Sequence, residues 1–212
     1  SLYDVLSDYF TDEQLKLSFT FQSKYLGMSP WECPGAFSIL SYMEHAYGIY
    51  HPIGGLNQLP QSMAKVIEEH GGKIYLNAGV KKLWLDGRKV KGVVLEDGSH
   101  ISADEVVING DFAHVMNNLV DDRVLKKYSK QKLEKKKYSC STFMIYVGLD
   151  KVYENMPHHT IVFADDYKKN VEEITKTKKL SADPSIYVQN AAVTDSTLAP
   201  EGKSGLYILA PV

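Results

Sequence analysis

Apolar residues recur at three- and four-residue spacing over Leu56, Leu59, Met63, Val66 and Ile67, which makes one stripe along a helix. Gly54-Gly55 opens a turn ahead of it, Pro60 suits its first turn, and Gly71-Gly72 closes it, because glycine readily takes the left-handed conformation that ends helices. The pattern then changes to β-rich runs, KIYLN (73–77), VKKLWL (80–85) and KVKGVVLE (89–96), separated by Asn-Ala-Gly and by Asp86-Gly87. Asp97-Gly98 turns the chain toward ISADEVVIN (101–109). Asp-Gly is a strong hairpin signal, since a type I′ turn needs positive φ at both central residues. The reading is a helix, a three-stranded antiparallel meander and a returning apolar strand that joins a sheet beside that helix.

Upstream the periodicity is helical. Leu2, Val5, Leu6, Tyr9 and Phe10 share a face, and Asp12 can begin a second helix through Leu15, Leu17, Phe19 and Phe21. Pro30 and Pro34 interrupt around Trp31, and Phe37 to Tyr47 resumes a helix that ends near Gly48. Downstream of a short helix at 112–119 and a charged stretch, DDRVLKKYSKQKLEKKK (121–137), the chain reads as strands. These are CSTFMIYVGL, HTIVFAD, SIYVQNAAV and LYILAPV, with a helix-like interval at 168–175 and a turn at Pro200-Glu201-Gly202. In the first of them Phe143, Ile145, Val147 and Leu149 alternate with Thr142, Met144 and Tyr146, so one face is expected fully buried and the other partly. The fold class is α+β. Three parts are expected: a helical part (1–51), a helix with its meander and returning strand (52–119) and a mixed sheet (120–212).

Composition adds bounds. The chain has 212 residues, 44% hydrophobic, with a formal net charge of −2, which gives no electrostatic reason to expect nucleic acid. No run approaches the roughly 18 to 20 apolar residues that cross a bilayer. Cys33 and Cys140 match no zinc or redox spacing, so a reduced, cytoplasmic setting is the simplest inference. Ser1 to Phe10 reads as helix from the outset and Val212 lies in an apolar run, which suggests an internal fragment.

Chemistry is sparse. The chain carries no nucleophile elbow, no P-loop, and no Gly-x-Gly-x-x-Gly between strand and helix to seat a pyrophosphate. His158-His159 and Asp165-Asp166 invite a metal, but neighbours on a strand point to opposite faces, and no metal is expected. His114 reads as packing or surface. Asn109-Gly110-Asp111 can start a helix with Asn109 or Asp111 as N-cap. The aromatic and methionine density of the first fifty residues admits core packing or the lining of a slot for a long apolar ligand. The charged stretch reads as a solvated face, with contact to anionic lipid headgroups as the alternative.

The Gly-Gly-x-x-x-Leu-Pro helix, the following Gly-Gly, the Asn77-Ala78-Gly79-Val80 register, the Asp-Gly hairpin and the closing Val-Val-x-Asn-x-Asp together resemble the middle of the phytoene-desaturase branch of the flavin amine-oxidoreductase superfamily. YSCSTFMIYVGLD, HHTIVFADD and the segment from Asp183 to Val212 are similar to bacterial carotenoid desaturases acting on phytoene or dehydrosqualene. The resemblance implies an FAD-dependent desaturase that passes a hydride equivalent from a long apolar polyprenoid to the flavin, so the hard chemistry belongs to the cofactor. It implies that the main chain of Val80 pairs with adenine and that Asn109, Gly110 and Asp111 lie beside FAD. It favours Phe19, Phe21, Tyr25, Phe37 and Tyr47 as tunnel residues, names no catalytic side chain, and implies a peripheral membrane surface as partner. The glycine-rich segments that close the flavin site in full-length relatives are missing, so these residues alone are expected to bind FAD poorly. Rival readings are another flavin amine oxidoreductase, such as an amine oxidase or a retinol saturase-like reductase, and a prenyl-lipid carrier like the Rab-escort proteins. The assignment requires the returning strand to join a sheet beside its own opening helix.

Overall fold

A computed structural model describes residues 1–121, 124 and 126–212, with Tyr25 and Lys126 described by backbone alone. The chain divides into two compact units, Ser1–Met63 with Ser139–Val212, and Ala64–Tyr138.

Helix α1 (Leu2–Tyr9) begins with a capping box in which the Ser1 hydroxyl accepts from the Asp4 N–H and the Asp4 side chain reaches back. It buries Leu2 and Leu6 against Cys33, with Phe10, Phe19, Met28 and Phe37 packed around them. Helix α2 (Glu13–Thr20) starts at Asp12, whose carboxylate accepts from Leu15 N at 2.8 Å, as read from the sequence. Two 3-10 segments, Phe21–Leu26 and Gly35–Ser38, lead to α3 (Ile39–Tyr47), which ends at Gly48. Helix α4 (Gln58–Glu69) carries the apolar stripe and stops at Gly71-Gly72, where Gly72 N–H donates to Ile67 O at 2.8 Å. Its stripe stays exposed, with Met63 at 65% and none of its residues buried.

In the second unit β1 (Val80–Asp86), β2 (Lys89–Leu95) and β3 (His100–Ser102) form the antiparallel meander in the order β1-β2-β3. Its third strand is 100–102 rather than KIYLN. Only Gly87, the first central residue of the β1–β2 turn, has positive φ (59°), so the turn is of the II′ kind rather than the expected I′. Residues 73–77 and 105–109 form no strand. Of the returning run 101–109 only Ile101 and Ser102 pair, with Val93 and Gly92 as part of β3; its apolar end, 105–109, joins no sheet, against expectation, and Val107 is 95% exposed. A strand exists only through its ladder, and these two apolar runs pair with nothing among the described residues. Helix α5 (Phe112–Asn118) begins at Asp111, whose carboxylate accepts from His114 N at 2.7 Å. Of the charged stretch, residues 122, 123 and 125 lie outside the described residues; the rest includes a 3-10 turn, Lys126–Tyr128, and α6 (Lys130–Leu133), which anchors through buried Leu133.

Back in the first unit, β4 (Thr142–Leu149), β5 (His159–Val162), β6 (Ile186–Gln189) and β7 (Ser204–Pro211) form a sheet in the order β4-β7-β6-β5. Every neighbouring pair is antiparallel, which corrects the expected mixed sheet. The connection from β5 to β6 does pass through a helix, α7 (Tyr167–Glu172) and its π-helical continuation Glu173–Thr177, but the chain returns running the opposite way. Strand β4 lies at the sheet edge with Phe143 61% and Tyr146 72% exposed, so the expected full burial of one face fails there. An edge strand has one neighbour, and alternation alone does not supply cover for its faces. Buried amides pin the loops: Asn190 donates to Tyr153 O and Met156 O, and the Asn170 side-chain oxygen accepts from Ser185 N.

Candidate functional site: an apolar cavity on the four-stranded sheet

Strand register decides which side chains share a face. Thr142, Met144 and Tyr146 of β4 oppose Pro211, Leu209 and Tyr207 of β7; Tyr187 and Gln189 of β6 oppose Leu209 and Tyr207, and also Ile161 and His159 of β5. That face forms the floor of a cavity of about 490 Å³, with Thr142, His159, Ile161, Tyr187, Tyr207, Leu209 and Pro211 contributing. Phe21, Gln22 and Lys24 of the first 3-10 segment, Glu44 of α3 and Val171 and Ile174 around α7 supply other walls. The volume lies in the range of pockets that hold sizeable organic ligands, and its walls are mostly aliphatic and aromatic.

Of the tunnel candidates, Phe21 lines this cavity. Phe19 and Phe37 pack on the Leu2–Leu6–Cys33 core instead, Phe19 stacked on Phe10 at 5.2 Å between ring centres. Tyr47 is 66% exposed and touches Tyr42 edge-on. The side chain of Tyr25 lies outside the described residues. Helical spacing could not separate these cases, because a core and a ligand slot impose the same period. Sequence reading missed the floor residues Tyr187, Tyr207 and His159; the signal was there in the odd-numbered positions of three short strands, but only register shows that those positions face together.

Lys24 was also missed. Its ammonium nitrogen is buried, with no hydrogen-bond acceptor among the described residues, and sits 4.8 Å from the Tyr167 ring centre and 5.7 Å from that of Phe21. Burial pushes its pKa down to about 8, partly opposed by the nearby Cys140.

At the start of β5 a polar cluster ties the sheet to the turn before α4. The buried Asp195 carboxylate meets His51 Nε2 at 3.1 Å and accepts from Gly54 N at 2.7 Å, Thr197 N at 3.0 Å and the Thr197 hydroxyl at 2.6 Å. These bonds, the Thr197 hydroxyl first, hold its carboxyl far below the usual carboxylate range. His158 precedes β5, and its ring lies 4.2 Å from that of His159, so the opposite-face rule does not apply to this pair. The His158 Nδ1 meets the Thr194 hydroxyl at 2.7 Å and the His159 Nδ1 meets the Tyr187 hydroxyl at 2.7 Å. Burial first, then neighbouring histidine charge, lowers the pKa of both rings. Among the described residues no group of three His, Cys, Asp or Glu side chains is placed to hold a metal ion.

In the other unit Val80 begins β1, an edge strand whose outer backbone groups have no strand partner among the described residues, although Leu83 N–H is taken by Leu119 O. Asn109 and Gly110 lie in the extended run before α5, and Asp111 is its N-cap. No described helix is long and apolar enough to cross a membrane.

The family described as flavin containing amine oxidoreductase matches residues 3–205, and the chain belongs to it. Within that family it is 54% identical over its whole length to the 4,4'-diapophytoene desaturase (4,4'-diapolycopene-forming) of Methylomonas sp, of which it covers 41%. It is 37% identical to the zeta-carotene-forming phytoene desaturase of Myxococcus xanthus and 34% identical to the lycopene-forming phytoene desaturase of Pantoea ananas, again over the full chain, covering 40% and 43% of them. The chain thus spans about two-fifths of the length of these relatives. A solved oxidoreductase from Methanosarcina mazei shares the fold with a TM-score of 0.66 at 20% identity, over 100% of this chain and 47% of that one. The unpaired end of the returning run therefore does not undo the family assignment.

Proposed function

We propose that the chain is the substrate-holding part, with a portion of the flavin-holding part, of an FAD-dependent desaturase acting on a polyprenoid such as phytoene or dehydrosqualene. The observation that carries this reading is an apolar cavity of about 490 Å³, built on the sheet of a chain whose full-length matches are carotenoid desaturases. The residues present fit the cofactor at one place: edge strand β1 leaves backbone groups beside Val80 free for an adenine, and Asn109, Gly110 and Asp111 would border the same group. When bound, FAD would take up the hydride equivalent that desaturation releases. The protein's own part is to hold the chain extended between Ile161, Leu209 and Phe21 and to keep water away from the reacting carbons. The helical first 51 residues act as cap over the sheet of 120–212, and residues 52–119 belong to the nucleotide side. A cytoplasmic protein resting on a membrane surface suits a substrate this apolar, with the lysines of 130–137 as the contact.

Expression of the full-length protein in cells supplied with phytoene or dehydrosqualene tests the reading. The expected result is a yellow, flavin-bearing protein and polyenes with absorption shifted to the red. A protein that copurifies with unaltered prenyl lipid would favour a carrier instead. A flavin-loaded protein that leaves both substrates unchanged but oxidises an amine would place it elsewhere in the family.

A further inference from the structure

A hydrocarbon offers no counter-charge, yet one wall of this cavity carries a buried cation. Among the described residues the Lys24 ammonium has no hydrogen-bond acceptor, and no carboxylate lies within ion-pairing distance of it. Glu44 lines the same cavity, but its carboxylate accepts from the Gln22 amide at 2.9 Å. Cys140, the remaining ionisable group whose charge reaches Lys24, stands at the start of the β4 segment, and His159, Tyr187 and Tyr207 occupy the floor. Among the described residues, the faces of Tyr167 and Phe21 attend the ammonium. Burying a charge is costly unless it is paired, so a lysine kept in such a place is poised for a partner that enters with the ligand.

We propose that this cavity takes a long apolar chain ending in a carboxylate, with the carboxylate paired to Lys24 and the chain lying along Ile161, Ile174 and Leu209. The inference rests on the cavity being the place where an apolar chain is held, and it adds to the neutral polyprenoids a second class of ligand, one with an anionic end. The carboxylate would meet no competing acceptor among the described residues. Both partners would be desolvated among aliphatic walls, where charge-assisted hydrogen bonds are strongest. Because burial already lowers the lysine pKa to about 8, the ion pair weakens as the free amine loses its proton above that value.

The test is fluorescence titration of the intact protein with cis-parinaric acid and with its methyl ester, repeated with an isoprenoid acid, retinoic acid, and its methyl ester. At about pH 7 each acid that the cavity accepts should bind at least ~10-fold tighter than its ester, and the gap should shrink toward pH 9.5. Lys24→Met should abolish the gap while leaving ester binding within about 2-fold, and Lys24→Arg should preserve it. A gap for retinoic acid alone identifies a branched isoprenoid carboxylate as the ligand; a gap for parinaric acid alone identifies a linear fatty acid. Equal binding of acid and ester by the wild type, or a gap that survives in Lys24→Met, overturns the proposal and leaves the apolar cavity standing. Failure of acids and esters alike removes the cavity as a lipid site, and the proposed function with it. Should Lys24→Met fail to fold, the wild-type gap and its decline with pH still decide the matter.

Discussion

Asp195→Ala is expected to lower the thermal midpoint of the first unit by roughly 5–10 °C, because it strips four partners from one buried carboxylate. Gly54 N and Thr197 N would be left without acceptors, and His51 and the Thr197 hydroxyl would lose their anchor. The Gly54 contact spans 141 residues of sequence, so its loss also unties the turn before α4 from the sheet end. The chain has two tryptophans, and Trp31, set 5.3 Å from Tyr3 and 6.0 Å from Tyr167, reports on this unit when Trp84 is replaced by Phe. The pH dependence has a definite sign. A carboxyl whose folded pKa is depressed adds stability that is complete above its unfolded value, near 3.9, and is lost as pH falls below it. The substitution should therefore cost most at neutral pH and least near pH 2. His158 and His159 act in a separate window: their folded pKa values are lowered, so protonation penalises the folded chain as pH drops through about 6.5 in both proteins. A midpoint that does not change at pH 7 in Asp195→Ala would contradict the hub role.

Gly92→Ala should destabilise the second unit by about 3 kcal/mol. Gly92 adopts φ +140°, and a Cβ there would overlap the Ile101 carbonyl on the neighbouring strand. The position follows an extra residue on β2, where the register with β1 slips between Trp84 and Leu85. Neither strand can retreat, because Gly92 pairs with Ser102 on one side and with Trp84 on the other. Trp84, in edge contact with His100 at 5.0 Å, reads the loss directly when Trp31 is replaced by Phe. Hydrogen exchange should speed up across β3 as well. Unaltered denaturation and unaltered exchange would show that β3 contributes little to holding the meander.

Much of this architecture was legible in local chemistry. Asp12 and Asp111 as caps, Gly71-Gly72 as a stop, and Asp97-Gly98 as a turn are decided by residues close together in the chain. Where the outcome depends on a distant partner, the pattern misleads. KIYLN and EVVIN have strand composition but no ladder, and the α4 stripe has helical spacing but no cover, since neither propensity nor period contains the neighbour. The relatives' greater length gives room for such neighbours. The cavity lay deeper still: its floor needs the register of β4, β7, β6 and β5, and its cation lies in a 3-10 segment between aromatics, where nothing local distinguishes Lys24 from a surface lysine. The family resemblance, carried by glycine and asparagine punctuation, identified the kin but not the cavity.

The most direct measurement places a bulky side chain on the cavity floor of the full-length protein. Ile161→Trp projects into the space beside Tyr187 and Leu209 and leaves the meander and the Asp111 turn untouched. Flavin content and polyene product are then determined on the same preparation. If the polyprenoid lies in this cavity, bound flavin stays at the wild-type level while product formation falls by at least ~10-fold. Product formation at the wild-type rate, with the tryptophan confirmed in place, would show that the substrate runs elsewhere.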